Sequence, residues 1–373
     1  MKIFILKEEE NELRVAVSPE TVKKLVDMDN EVHLETGAGV NSDYNDDLLK
    51  QSGAKIFNNI SELKNADIIL KVNAPKIADL ENYKSGVILI SCLNPHNNHE
   101  LIKELQNKNI TSFAMELMPR ITRAQSMDVL SSQSNLAGYQ AVIEASYLFN
   151  KAMPMMMTAA GTIAPAKVMV FGAGVAGLQA IATAKRLGAI VSATDVRIAA
   201  KEQVESLGGK FVMVEDENLE NTETTGGYAK EMSDEFKKKQ AELISKTLSN
   251  QDIAICTALI PGRKAPLLIT EDQIKSMKPG SVIIDLAADS GGNCEFSKPE
   301  QTIKINNVSI VGASNITSKV SQDASSLYAK NLLNFIKLLV NEENNKLDID
   351  WKDEIISSTL ITKDGKIVNK EFN

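Results

Sequence analysis

The chain predicts an α/β protein of two domains, each built on a largely parallel sheet. Three observations predict it. Short β-branched runs alternate with helical patterns twice along the sequence. Most of the runs are predominantly apolar, as strands of a parallel sheet covered on both faces are. And 373 residues are more than one ordinary core organises.

In the first domain, residues 2–6, 31–35, 67–72, 86–92 and 110–115 read as buried parallel strands. Between them, Ser18, Pro19 and Glu20 mark a helix start with proline at its first position, and 46–52, 61–64 and 99–107 carry helical patterns. A long helix is expected over 134–150, with Leu136, Gln140, Ile143 and Tyr147 on successive turns, bridging the two domains. Residues 152–166 are apolar but interrupted by Pro154, Gly161 and Pro165, and carry Met155, Met156 and Met157. They read as a buried connector, since methionine clusters serve packing more often than cofactors.

A second domain begins at Lys167, with strands at 167–171, 189–195, 210–214, 252–257, 281–286 and 308–312. Its helices include 230–249 and one capped by Thr270, with Gln273 three residues on as a capping box. The last helix, 321–340, is expected to return to the first domain, because the second sheet is already complete. The expected domains are therefore 1–133 with 320–373, and 134–319.

Composition narrows the function. A hydrophobic content of 43% with 24% charged residues is that of an ordinary globular protein. A net charge of -8 argues against nucleic acid. The run Lys237, Lys238, Lys239 is balanced by Glu231, Asp234, Glu235 and Glu242 and reads as a solvated helix face. Cys92, Cys256 and Cys294 are far apart and lack metal-ligand spacing, so no metal is expected and a reducing compartment is. The amino terminus does not read as a signal peptide, and no apolar run reaches the roughly 18 residues that suggest a membrane span.

The chemistry begins at residue 167. The strand 167–171 runs straight into Gly172, Ala173, Gly174, Val175, Ala176 and Gly177, and a helix follows. In that context GxGxxG is a dinucleotide fingerprint: Gly172 allows the tight turn, Gly174 lets backbone approach a pyrophosphate, and Gly177 permits close packing of helix on strand. The pyrophosphate then sits at the helix N-terminus, where unpaired N–H groups and the dipole favour anions. Asp195 ends the next strand, close to the ~20-residue spacing at which an acid accepts the ribose hydroxyls. This makes the second domain Rossmann-like and the cofactor NAD(H). Arg197 keeps NADP open as an alternative, although it does not replace the acid.

A second constellation lies just after the last strand of the first domain. Arg120, Arg123, Gln125, Asp128 and Ser131 are packed into one short loop. Such a loop can be a salt-bridged surface, but it sits at the C-terminal edge of a parallel sheet, where open α/β folds place ligands.

With these residues in view, the chain resembles the NAD(H)-binding component of proton-translocating nicotinamide nucleotide transhydrogenases. The likeness extends over nearly the whole chain, including residues 154–161, 194–197, 201–209, 225–232 and 331–335. It implies two Rossmann-like domains with NAD bound in the cleft between them. It implies that Arg120, Gln125, Asp128 and Ser131 hold the nicotinamide side. It adds Gly227, Tyr228, Gln240 and Leu259 to the cofactor contacts, with a mobile loop near 220–240 that closes over the nucleotide. The activity it implies is hydride transfer from NADH to NADP⁺ held on a partner subunit, coupled to proton translocation. The implied assembly is a homodimer with membrane-spanning and NADP(H)-binding subunits. The chain would then be cytoplasmic and peripheral to the inner membrane. With the sequence ending at Asn373 without membrane spans, the membrane and NADP(H)-binding parts are expected on separate chains.

The rival is alanine dehydrogenase, a relative that reduces an imine of pyruvate. Arg14 and Lys71 match its keto-acid positions, and Asp289 falls near its catalytic acid. Against it, Asn94 stands where that enzyme needs a histidine general acid, and an amide cannot shuttle a proton. A silent NAD-sensing module is a third reading, which leaves the 120–131 loop unexplained. His33, His96 and His99 are read as surface or packing residues. Ala313, Ser314 and Lys319 depart from the usual transhydrogenase pattern.

Overall fold

The computed structural model of the chain describes residues 1–214, 234–260, 262–341 and 346–372. The chain divides into two compact units: Met1–Gln133 with Thr317–Asn373, and Ser134–Ile316.

In the first unit, β1 (Lys2–Ile5), β2 (Glu31–Glu35), β3 (Lys55–Phe57), β4 (Ile68–Asn73), β5 (Ile88–Cys92) and β6 (Thr111–Ala114) pair in parallel in the order β3-β2-β1-β4-β5-β6. Successive residues of the central strands feed opposite cores. Ile3, Ile5, Ile68 and Leu70 join Tyr328 and Phe335 on one face. Phe4, Ile69 and Leu89 join Leu101 and Leu105 on the other. That two-sided burial is why β1, β4 and β5 are predominantly apolar, whereas β2 alternates and buries only Val32 and Leu34. The first helix, Pro19–Asp27, starts as its sequence dictates: the Ser18 hydroxyl accepts from the Thr21 N–H, and the Thr21 hydroxyl accepts from the Ser18 N–H.

The second unit begins within the long helix Val129–Leu148, which a hairpin follows, β7 (Met156–Thr158) and β8 (Gly161–Ile163). A sheet follows, made of β9 (Lys167–Phe171), β10 (Ile190–Thr194), β11 (Lys210–Phe211), β12 (Ile253–Cys256), β13 (Val282–Asp285), β14 (Thr302–Ile305) and β15 (Val308–Gly312). Its order is β11-β10-β9-β12-β13-β15-β14, all parallel except β14, which runs antiparallel to β15. The capping box at Thr270 and Gln273 forms at the start of helix Glu271–Ser276. Back in the first unit, β16 (Leu360–Lys363) lies antiparallel to β6, and β17 (Lys366–Ile367) closes the edge.

Two expectations need correction. Residues 152–166 are not a buried connector: they contain the hairpin, and Met155, Met156, Met157 and Ile163 are exposed, Met157 by 79%. Apolar composition says that a segment avoids water; it does not say which surface covers it. The long helix starts at Val129 rather than 134, because the Asp128 carboxylate accepts from the Ser131 N–H and caps it five residues early. Among the described residues no helix is long and apolar enough to cross a membrane.

Candidate functional site

In the second unit the chain leaves β9, winds outward through β10 and β11, and returns to β12 on the other side of β9. The reversal leaves an open edge at the ends of β9 and β12, the place where α/β sheets bind ligands. Gly172 stands there with φ +95, and a Cβ on it would lie 2.7 Å from the Thr257 hydroxyl. Gly177 is locked by packing, since a Cβ would meet the Gly172 carbonyl oxygen at 1.8 Å. Gly174 differs from both: a Cβ there would meet nothing within 4 Å. It caps helix Val175–Arg186, whose exposed Val175 and half-buried Ala176 leave the first turn open. Two glycines are required by crowding and one faces free space, which is what backbone contact with a pyrophosphate demands. Helix Val129–Leu148 packs against this turn: at Gly138 it approaches so closely that a Cβ would lie 2.0 Å from the Ala176 carbonyl oxygen.

Asp195, just beyond β10, reaches back to the same loop. Its carboxylate accepts from the Ala173 N–H at 2.7 Å and from the Arg197 N–H at 2.8 Å, and pairs with the Arg197 guanidinium at 3.0 and 3.1 Å. Burial pushes its pKa up, but the Arg197 and Ala173 hydrogen bonds outweigh that and hold it below the ordinary value. The carboxylate is therefore ionised, with Arg197 folded onto it.

Gln240, on helix Asp234–Leu248, is committed to the protein's own chain. Its amide accepts from the Val214 N–H and donates to the Thr194 hydroxyl and the Val212 carbonyl. Leu259 follows β12 and is 54% exposed beside the glycine turn. Gly227, Tyr228 and the expected mobile loop's core lie outside the described residues.

One feature of this edge escapes the sequence. Asp285, fully buried at the end of β13, accepts from the N–H groups of Ala287, Asn293 and Cys294. Asn293, also fully buried, accepts from the Ala258 N–H and donates to the carbonyls of Ala258 and Pro266. The pair thus fixes the loop carrying Leu259. No local motif announces it, because the partners meet only when the strands align.

The loop of the first unit is arranged differently. Ala124 and Met127 are buried and anchor it, while Arg120 and Gln125 are exposed and their side chains pair with no other described residue. Arg123 pairs with Asp353 at 2.7 Å. Ser131 donates its hydroxyl to Asp128 at 2.5 Å, so the helix cap also orients that carboxylate.

In the same unit Arg14 is forked by Glu12 and donates to Gln133, and Lys71 pairs with Glu8 at 3.3 Å. Asn94 is exposed with φ +48, and its amide oxygen accepts from Asn97. Its N–H donates to Glu116, whose buried carboxyl is pushed up to about 7 by desolvation. Of the histidines, His33 stacks on Phe4 and His96 packs edge-on to Phe372. Burial raises the thiols of Cys92, Cys256 and Cys294 well above the usual range.

Comparison with known proteins adds the following. The family models of the alanine dehydrogenase/PNT N-terminal and C-terminal domains match residues 4–137 and 141–370. The first segment of the divided NAD(P) transhydrogenase alpha subunit of Rhodospirillum rubrum is 55% identical, covering 99% of this chain and 98% of its own. The corresponding subunit of Rickettsia prowazekii is 49% identical, covering 99% and 96%. An alanine dehydrogenase of Staphylococcus epidermidis is 35% identical, over 78% of this chain and 73% of its own. Among solved structures, a transhydrogenase from Sinorhizobium meliloti matches with a TM-score of 0.91 and 49% identity, covering 99% of this chain and 100% of its own. An L-alanine dehydrogenase shares the fold, with a TM-score of 0.84 at 23% identity, covering 100% of this chain and 98% of its own.

Proposed function

The chain belongs to the alanine dehydrogenase/PNT family, and from that premise we propose that it is the NAD(H)-binding subunit of a proton-translocating transhydrogenase. The observation that carries the choice within the family is Asn94. A dehydrogenase reducing an imine needs a side chain that moves a proton, and this exposed amide cannot. The match over nearly the full length of two transhydrogenase subunits supports the same branch.

Bound NADH supplies a hydride from its nicotinamide ring, which a second nicotinamide on a partner subunit accepts. This chain's residues bind, orient and exclude water. Gly174, Val175 and Ala176 take the pyrophosphate at the start of helix Val175–Arg186, and Gly172 and Gly177 form the tight turn that presents them. Asp195 accepts from the ribose hydroxyls, with Arg197 holding its carboxylate ionised. Leu259 covers the adenosine end, and Gln240 acts through the 212–214 segment that it ties down. Gly227 and Tyr228 are assigned by resemblance alone. Arg120 and Gln125 hold the carboxamide, and Asp128, fixed by Ser131, orients the ring. Direct hydride transfer requires no acid or base.

The partner subunits supply NADP(H) and the membrane component, which places this chain at the cytoplasmic face of an inner membrane. A second copy covers the β7–β8 hairpin: a two-stranded ribbon is marginal by itself, and its exposed methionines call for an apolar surface. Sedimentation should give a dimer that Met156→Lys with Met157→Lys dissociates.

Stopped-flow mixing with a purified NADP(H)-binding component of the family tests the function. Hydride transfer should occur without a membrane. Steady NADH consumption by the isolated chain with pyruvate and ammonia would overturn the reading in favour of alanine dehydrogenase.

A further inference from the structure

The motif at residues 331–335 stands apart from the cofactor fingerprint, and its two asparagines converge on the 120–131 loop. Helix Ser321–Leu339 is seated in the first unit's core by Tyr328, Leu332, Phe335, Ile336 and Leu339, each 0% exposed. Asn331 and Asn334 are three residues apart and so share a face of that helix. The Asn331 amide donates to the Ser126 carbonyl at 2.9 Å, and the Asn334 amide donates to the same oxygen at 3.2 Å. Asn331 also accepts from the Ser132 hydroxyl at 2.7 Å. Ser126 belongs to the last turn of the 3₁₀ segment Thr122–Met127, where a carbonyl has no partner within its own turn and must find donors elsewhere.

We propose that Asn331 and Asn334 are positioning residues for hydride transfer. They fix the Ser126 carbonyl, and with it the backbone between Gln125 and Asp128, onto a helix that the core holds rigid. This rests on the reading that Arg120, Gln125, Asp128 and Ser131 hold the nicotinamide end. The geometry gives the asparagines no contact of their own with that end: their amides are spent on the loop. Loss of one or both lets the loop shift without removing any group that touches the cofactor. Misplacement by about 1 Å is enough to cost on the order of a hundredfold in rate, while the pyrophosphate and ribose contacts of the second unit still bind NADH.

The experiment compares Asn331→Ala, Asn334→Ala, Ser132→Ala and the double asparagine variant with the parent chain and with Arg120→Ala. NADH affinity is measured by fluorescence titration, and hydride transfer by stopped-flow with the NADP(H)-binding component. Asn331→Ala should slow transfer roughly tenfold or more, and the double variant further, with the dissociation constant for NADH within about twofold of the parent. Asn334→Ala and Ser132→Ala, at partly exposed positions, should move in the same direction and carry the test if Asn331→Ala does not fold. If Arg120→Ala slows transfer but the asparagine variants run at the parent rate, the positioning role is overturned. It is equally overturned if their affinity falls as much as their rate, since that is general unfolding of the site. If Arg120→Ala itself runs at the parent rate, the nicotinamide-loop reading fails first and takes the inference with it.

Discussion

Asp195→Asn should relax the proposed preference of this site for NAD(H) over NADP(H). In the parent, one carboxylate accepts from the Ala173 and Arg197 N–H groups and is forked by the Arg197 guanidinium. A hydrogen bond from a ribose hydroxyl to that ionised group contributes about 1.5–3 kcal/mol, against about 0.5–1.5 kcal/mol for a neutral amide. The difference of ~1.4 kcal/mol is tenfold in NADH affinity. The 2′-phosphate of NADPH meets the opposite change. Two like charges about 4 Å apart near a protein surface repel by ~4 kcal/mol, an amount that Arg197 partly offsets. Removing even about 2 kcal/mol of it raises NADPH affinity roughly thirtyfold. The amide also releases Arg197 to meet the phosphate. The ratio of the two dissociation constants should therefore fall by about two orders of magnitude, read by parallel fluorescence titrations of both reduced nucleotides. A ratio within about threefold of the parent's would refute the assignment of Asp195 to the ribose.

Other perturbations are as direct. Gly138→Ala places a Cβ 2.0 Å from the Ala176 carbonyl oxygen, so the two helices must part by about 1 Å. NADH affinity should drop about tenfold, and unchanged binding would separate this helix from the site. Asn293→Ala strands three part-buried groups on Ala258 and Pro266 and should destabilise by about 3 kcal/mol while weakening NADH binding, measured by urea unfolding and titration. Glu116 has a native pKa raised from 4.5 to about 7, so the folded state binds its proton more tightly than the unfolded state. Its stabilising contribution is complete below pH 4.5 and is lost as pH rises to 7, a change of about 3 kcal/mol. Glu116→Gln should therefore gain stability relative to the parent between pH 4.5 and 8; parallel urea midpoints at both pH values would contradict this.

Much of this architecture is legible before any coordinates. The central strands of both sheets show as predominantly apolar runs, since helices cover both faces, and Ser18 and Thr270 announce their helices by capping chemistry. The short strands β3, β16 and β17, at or next to the sheet edges, are not visible there, because runs of three, four and two residues carry too little pattern. β14 escapes notice for a different reason: it is an edge strand with alternating exposure, quite unlike the buried runs. At the site, the glycine turn and Asp195 can be read because their spacing reflects one local βαβ unit. Asp285 with Asn293, and Asn331 with Ser126, cannot be. Those pairings depend on register between segments that composition treats as unrelated.

The order in which the first unit is made differs from the order in which it can be finished. β1 through β6 are synthesised by residue 114, yet their sheet lacks β16 and β17, and one core face lacks helix Ser321–Leu339, until residues 317–373 follow. The Val15 N–H waits for the Ser325 hydroxyl, 310 residues later. Meanwhile Ser134–Ile316 has all its strands in one continuous stretch and can fold first. A compact insert holds its two ends at a fixed separation, and closing the first unit then costs less chain entropy than closing a coil of that length. Folding order thus runs against the usual amino-terminus-first sequence, and the nascent chain carries an incomplete sheet through most of translation. Chaperone dependence and sensitivity to carboxyl-terminal truncation should accordingly fall on the unit that is translated earliest.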